Sequence, residues 1–318
     1  MQSTVFQSSL VRGIEESTKS EETRESPNME STIQSLTDSG CQQYEFGRYE
    51  SAESEFREAL QASQESSLHV AAVLCGNLGA THLQLRNYSR AKLYLQKCLQ
   101  WKKEGKSATA FDVLMNLGNL TACESLEESV DWYHMAVEEL ESTQGSEEDW
   151  ANVLFNLGRL YVQHQQWETA RKFLEEAYHW TKEAYGEDHN SMAETFDLLG
   201  LVHMAQHHYD EALVAFTRAM AIHRHAKGPF HRNIAQSLLN MGLLRECQGE
   251  WSEAWEAYTT AHDLLLRLRT KQNDPLLEMI CQSMNTVEVW IARQTRDRML
   301  QRSRSARTQY RAAYASTI

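Results

Sequence analysis

Apolar residues recur along this chain at alternating spacings of three and four, the period of a helix with one buried face. The stretch Trp150-Ala-Asn-Val-Leu-Phe-Asn-Leu-Gly-Arg-Leu-Tyr carries the pattern, breaks at His164-Gln-Gln, and resumes in Trp167-Glu-Thr-Ala-Arg-Lys-Phe-Leu-Glu-Glu-Ala-Tyr. Two helices joined by a short turn are predicted, with Leu154, Leu157, Tyr161, Trp167 and Phe173 in the core. The unit returns six times. Gly40, Gly79, Gly118, Gly158, Gly200 and Gly242 stand 39 to 42 residues apart. A small residue follows each glycine 12 positions on: Ala52, Ala91, Ala170, Ala212 and Ala254, with Ser129 one position early in the third unit. A second follows 19 positions on: Ala59, Cys98, Ala177, Ala219 and Ala261, with Ala136 again one early. So regular a period predicts an all-α repeat solenoid. Glycine inside a helix costs about 1 kcal/mol against alanine, so close packing must offset it. The small residues suggest that the two helix backbones of each hairpin approach one another. An aromatic residue stands three before the first small partner in five units (Tyr49, Tyr88, Trp167, Tyr209, Trp251) and is expected to plug the turn end.

These units resemble tetratricopeptide repeats (TPR) across roughly residues 30–270. They exceed the usual length of about 34 residues. Tyr185-Gly-Glu-Asp-His-Asn-Ser-Met-Ala-Glu-Thr-Phe-Asp-Leu-Leu-Gly and Lys227-Gly-Pro-Phe-His-Arg-Asn-Ile-Ala-Gln-Ser-Leu-Leu-Asn-Met-Gly are similar to the joints between repeats of kinesin light chains. Gly76-Asn-Leu-Gly and Met115-Asn-Leu-Gly are similar to the repeats of LGN/Pins polarity adaptors. The resemblance implies a right-handed α-solenoid of six TPR-like hairpins over residues 29–270, whose first helices line a concave groove. A capping helix is expected over 271–300. Asp274-Pro275 makes a suitable helix start, and Leu277, Ile280, Met284, Val287 and Ile291 share one side. Residues 1–28, rich in Ser and Glu, read as disordered, and 301–318 as an arginine-rich tail.

Helix geometry selects the groove residues. A position two before each glycine is turned about 200° away from it. Those positions hold Asp38, Asn77, Asn116, Asn156, Leu198 and Asn240. Gln84 and Gln163 share the face five after the glycine, and Asn119 and Arg159 stand at its edge one after it. An asparagine offers both a donor and an acceptor, matching the backbone of an extended peptide. The matching asparagines of kinesin-light-chain and LGN-like repeats imply the same use here for Asn77, Asn116, Asn156 and Asn240. Leu198 interrupts the row. The competing reading is that these amides bond neighbouring helices. Four amide pairs net about 1 kcal/mol each, against roughly 2–5 kcal/mol to order a peptide. Apolar anchors are therefore needed, and Met115, Phe155, Leu201 and Leu243 are candidates. No lysine occupies the positions six before the glycines, which disfavours a chaperone-type carboxylate clamp.

The formal net charge is −13, but residues 293–311 hold seven arginines (Arg293, Arg296, Arg298, Arg302, Arg304, Arg307, Arg311) against Asp297. That segment is +6 and the remainder −19. The basic run reads as a solvated helix end, a dock for an acidic surface, or a contact for RNA or anionic lipid. Tyr310 and Tyr314 alone could stack on bases, so nucleic acid is disfavoured. Ser303 and Ser305 lie between arginines, where phosphorylation would reduce the charge. Six cysteines without a C-x-x-C pair read as reduced thiols, and Met1–Arg12 has no apolar core of a secretory signal. No membrane span is expected. Clustered histidines (His203, His207, His208; His223, His225, His231) lack a completing ligand set, so no metal is expected. No phosphate loop, dinucleotide fingerprint or nucleophile elbow is present, so neither a cofactor nor a small-molecule substrate is expected. The reading that results is a cytoplasmic, non-catalytic adaptor holding an extended protein segment. The alternatives are a structural subunit of a cytoskeletal or ciliary assembly and an RNA-associated protein acting through its tail.

Overall fold

The structure, a computed structural model, describes residues 27–63, 68–105, 110–271 and 273–315. All regular structure among them is helical. Six hairpins follow in order: α1 (Pro27–Glu45) with α2 (Tyr49–Ser63), α3 (Leu68–Gln84) with α4 (Tyr88–Glu104), α5 (Phe111–Thr121) with α6 (Leu126–Thr143), α7 (Glu147–Gln163) with α8 (Trp167–Tyr185), α9 (Asn190–Ala205) with α10 (Tyr209–Lys227), and α11 (Arg232–Gln248) with α12 (Trp251–Arg267). A long helix, α13 (Pro275–Ala315), closes the order. The fold is an all-α repeat solenoid. It divides into two compact units within α7, one ending at Leu160 and one beginning at Tyr161.

The repeated small residues all lie inside: none of the twelve is more than 1% exposed. The reason for the glycines differs from the backbone approach expected above. A Cβ on Gly40 would strike the Phe56 ring at 2.7 Å, and one on Gly118 the Tyr133 ring at 2.6 Å. The same holds for Gly79 against Leu95, Gly200 against Phe216 and Gly242 against Tyr258. Each of these five glycines is thus a seat for one large, fully buried side chain of the second helix, four residues past the small partner. The third hairpin, one residue short, keeps this register by a hydrogen bond: Ser129 Oγ donates to the Gly118 carbonyl at 2.7 Å.

The aromatics Tyr49, Tyr88, Trp167, Tyr209 and Trp251 are the first residues of their helices. Two residues before each stands a left-handed residue: Gly47, Arg86, Gln165, His207 and Gly249. In these turns a backbone N–H closes on the carbonyl five residues back, as Asn87 does on His82 and Gln166 on Tyr161, satisfying the last carbonyls of the first helix. Two joints of the second unit share another device. Gly186 and Gly228 end α8 and α10, and the Nδ1 atoms of His189 and His231 then accept the N–H of Ser191 and Asn233 to start α9 and α11.

In the second unit Leu276, Leu277, Ile280 and Val287 of α13 are buried with Tyr258, Leu264 and Leu265 of α12. Asp274 caps α13, its Oδ1 accepting the Leu276 N–H at 2.9 Å. The helix does not stop near 300 but continues unbroken to Ala315. The expected disordered tail lies outside the described residues as far as 26, and 316–318 lie outside them as well. All six cysteines are free thiols, and burial pushes Cys75 up to about 12 and Cys98 up to about 11.

Candidate functional site

In the first unit the first helices α3, α5 and α7 present the asparagines selected by geometry. Asn77 and Asn116 are buried, at 1% and 8% exposure, and Asn119 is buried beside them. Asn156 is half-buried. The four are not a row of free amides. Asn119, Asn156 and Arg159 instead form one cluster. Arg159 Nη2 donates to Asn119 Oδ1 and to Asn156 Oδ1, each at 2.5 Å. The Tyr133 hydroxyl donates to the same Asn119 oxygen at 2.9 Å. Asn156 Nδ2 donates to the Asn152 carbonyl, one turn back. Burial holds the Tyr133 phenol up to about 12, so it remains a donor at any physiological pH.

The chemistry of this cluster follows from counting donors. A guanidinium has five N–H groups, and the two on Nη2 serve the two amides. The other three lie on Nε and Nη1 of a half-buried cation. Charge-assisted bonds from such a group to a carbonyl or carboxylate are roughly twice as strong as neutral ones. Sequence geometry placed Arg159 at the edge of the face but did not reveal that it ties together α5 and α7. Gln84 is half-buried at the end of α3. The proposed apolar anchors divide: Met115 is buried and Phe155 half-buried in this unit. In the second unit Leu201 and Leu243 pack on core clusters.

In the second unit, Gln163 is exposed. Asn240 is buried and accepts from Gln236 Nε2 at 3.3 Å. It belongs to a network that sequence reading missed. His223 of α10 lies between Asn190 Oδ1 at 3.2 Å and Asp197 Oδ2 at 3.3 Å, both on α9. Ser237 of α11 donates to Asp197 at 3.1 Å. Burial raises the Asp197 carboxyl above the ordinary range, while bonds from His223, Ser237 and Asn240 oppose the shift. Asp197 stands three before Gly200, where other repeats have Thr37, Gly76, Met115, Phe155 and Leu239. That lone charge on an apolar position was the available signal.

Among the described residues no group of three or more His, Cys, Asp or Glu could hold a metal ion. No described helix is long and apolar enough to cross a membrane. On the arginine run, Arg293 sits over the Trp290 ring at 5.4 Å, and Arg296, Arg298 and Arg302 are exposed.

Tetratricopeptide-repeat profiles match residues 72–104, 165–224 and 191–267. No curated protein matches the chain. Solved structures share the fold at low identity. BtubC (BKLC) from P. vanneervenii has a TM-score of 0.58 at 18% identity, covering 78% of this chain and 94% of that one. The assembly chaperone of RpL4, Acl4, has a TM-score of 0.62 at 17% identity, covering 83% of this chain and 98% of that one. NprR in complex with its cognate peptide NprX has a TM-score of 0.56 at 14% identity, covering 80% of this chain and 70% of that one. The repeat period, the glycine seats, the hairpin order and the profile matches agree: this chain carries tetratricopeptide repeats, matched over residues 72–104 and 165–267.

Proposed function

We propose that this chain is a non-catalytic adaptor that holds an extended segment of a partner protein on the first-helix face of its second to fourth repeats. The observation that carries the reading is Arg159, a half-buried cation fixed by Asn119 and Asn156. A fixed donor costs a ligand little reorganisation, and peptide carbonyls or an acidic side chain would supply the acceptors. The likeness of fold to NprR, solved with a peptide, supports the reading. The buried Asn77 and Asn116 then shape the face from behind, and Asn156 and Arg159 make the contacts.

Selection of a random displayed-peptide library on the full chain, followed by calorimetry on a selected peptide, tests this. Arg159→Ala combined with Asn156→Ala should weaken binding at least about tenfold, the loss of one charge-assisted bond, with the helical circular dichroism unchanged. Equal affinity in the folded variant would remove this face as the working surface.

A further inference from the structure

Beyond residue 291, α13 has no large aliphatic or aromatic residue in the arc that carried it onto α12. That side runs through Leu277, Ile280, Met284, Val287 and Ile291. At about 100° per residue, positions 293, 296, 304 and 307 fall within one arc of about 80° on the opposite side. All four are arginine, and residues 275–318 contain no lysine. Arg293 and Arg296 are exposed there, and neither makes an ion pair among the described residues. Trp290, stacked on Trp251 with ring centroids 5.0 Å apart, holds Arg293 at the base of this arm. Because α13 is continuous to Ala315, the arm is one helix with a basic stripe.

The same chain carries the complement. Residues 124–149 contain ten carboxylates and neither lysine nor arginine. Glu127, Asp131, Glu138 and Glu141 of α6 are exposed and take no ion pair or hydrogen bond among the described residues. They too fall within an arc of about 80°. Their offsets along the helix are 0, 4, 11 and 14, against 0, 3, 11 and 14 for the four arginines. Both stripes are therefore about 21 Å long at 1.5 Å per residue. Reversed, the acidic offsets are 0, 3, 10 and 14, so the match survives antiparallel docking. Arginine forks pair bidentately with carboxylates, which lysine does not do. A nucleic acid or anionic membrane would instead approach a chain whose remaining charge is −19.

We propose that the arginine arm of one copy docks along α6 of a second copy, so that the protein self-associates through helix-on-helix charge pairing. Sedimentation of the full chain over a concentration series should show mass rising above the monomer at low salt. The association should weaken at least about tenfold between 0.05 and 0.3 M salt, because exposed pairs are screened beyond roughly 10 Å at 0.1 M. An arm variant (Arg293→Glu, Arg296→Glu, Arg304→Glu, Arg307→Glu) should stay monomeric. So should a body variant (Glu127→Lys, Asp131→Lys, Glu138→Lys, Glu141→Lys). Mixed, the two should associate again, since each now offers a stripe the other complements. Glu127, Asp131, Glu138, Glu141, Arg293 and Arg296 are exposed, and circular dichroism of both variants checks that the helices are kept. Three results would overturn the proposal: a wild-type chain that stays monomeric at low salt, an arm variant that associates like wild type, or two monomeric variants that stay separate when mixed.

Discussion

The two units share a repeat, a glycine seat and a turn, yet they use polar residues on their first-helix faces in opposite ways. In the first unit the charge is Arg159, and neutral amides hold it by their oxygens. In the second the charge is Asp197, enclosed by His223, Ser237 and Asn240 from the next two helices. One arrangement ties α5 to α7 through a half-buried cation. The other joins α9, α10 and α11 around a buried carboxyl. The repeat backbone thus fixes where a residue stands, and neighbours one hairpin away decide whether its charge is held by neutral amides or enclosed in a joint.

The largest expected effect tests the second half of that contrast. His223→Ala leaves a buried carboxyl without its imidazole, which costs about 3 kcal/mol. Thermal unfolding followed by hydrogen exchange should show the loss in α9 to α11. Arg159→Ala, removing a half-buried cation whose amide partners can turn to water, should cost less than about 1 kcal/mol. Equal losses at the two sites would erase the distinction between a joint and a binding face.

The next effect should be the same in both units. An added Cβ would meet the ring of Tyr133 at 2.6 Å for Gly118→Ala, and the ring of Tyr258 at 2.2 Å for Gly242→Ala. Overpacking costs about 1–3 kcal/mol and the gain in helix propensity returns about 1. A net loss of roughly 1–2 kcal/mol is expected in each case, read from denaturant midpoints. Tyr258→Leu should partly rescue Gly242→Ala, because the ring is what the glycine seats.

Those glycines also show what was legible beforehand. Their spacing gave the hairpins, the helix starts and the small partners, because each follows from a period within one chain segment. The large residue on the second helix had its own regular place at Phe56, Tyr133, Phe216 and Tyr258. It went unread because any apolar residue fits a helical stripe. The burial of the amides was hidden for a different reason. Register says which way Asn77 and Asn119 face on their own helix, but the adjacent repeat then buries both. Asp197, His223 and Ser237 meet from three helices up to 40 residues apart. No local pattern announces such a meeting.

Acidification should separate the units more gently. Burial lowers His82 in the first unit, and burial lowers His203 and His231 in the second. A histidine with a folded value below its ordinary 6.5 takes its proton first in the unfolded chain. Its stability is present above that value and is lost as pH falls through the folded one. Asp197 runs the other way: its raised value favours the fold at low pH and the contribution fades as pH rises. Two lowered histidines against one, with Asp197 offsetting a part, mean that exchange protection, corrected for the intrinsic rate at each pH, should fall more in α9 to α12 than in α3 and α4 between pH 7.5 and pH 5.5. His231 adds a direct cause, since its Nδ1 must be unprotonated to accept the Asn233 N–H. His231→Ser keeps an acceptor that does not titrate, and should reduce the acid sensitivity of α11 without lowering stability at neutral pH.

The smallest effects concern the turns and cross the boundary between the units. Arg86 in the first and Gln165 and His207 in the second hold φ of 57°, 59° and 63°, where Gly47 and Gly249 hold 73° and 76° in the same turn. A left-handed residue with a Cβ is strained by about 1–2 kcal/mol. Glycine removes that strain but gives the unfolded chain more freedom, which takes back a part. Arg86→Gly and Gln165→Gly should therefore each stabilise by no more than about 1 kcal/mol. His207→Gly should gain less, because the His207 ring already bonds the Tyr209 hydroxyl at 2.8 Å and would forfeit that contact. Differential calorimetry on the three single variants would show the order. A gain at His207 equal to the others would mean that the side-chain bond contributes nothing, and that backbone strain alone sets the stability of these turns.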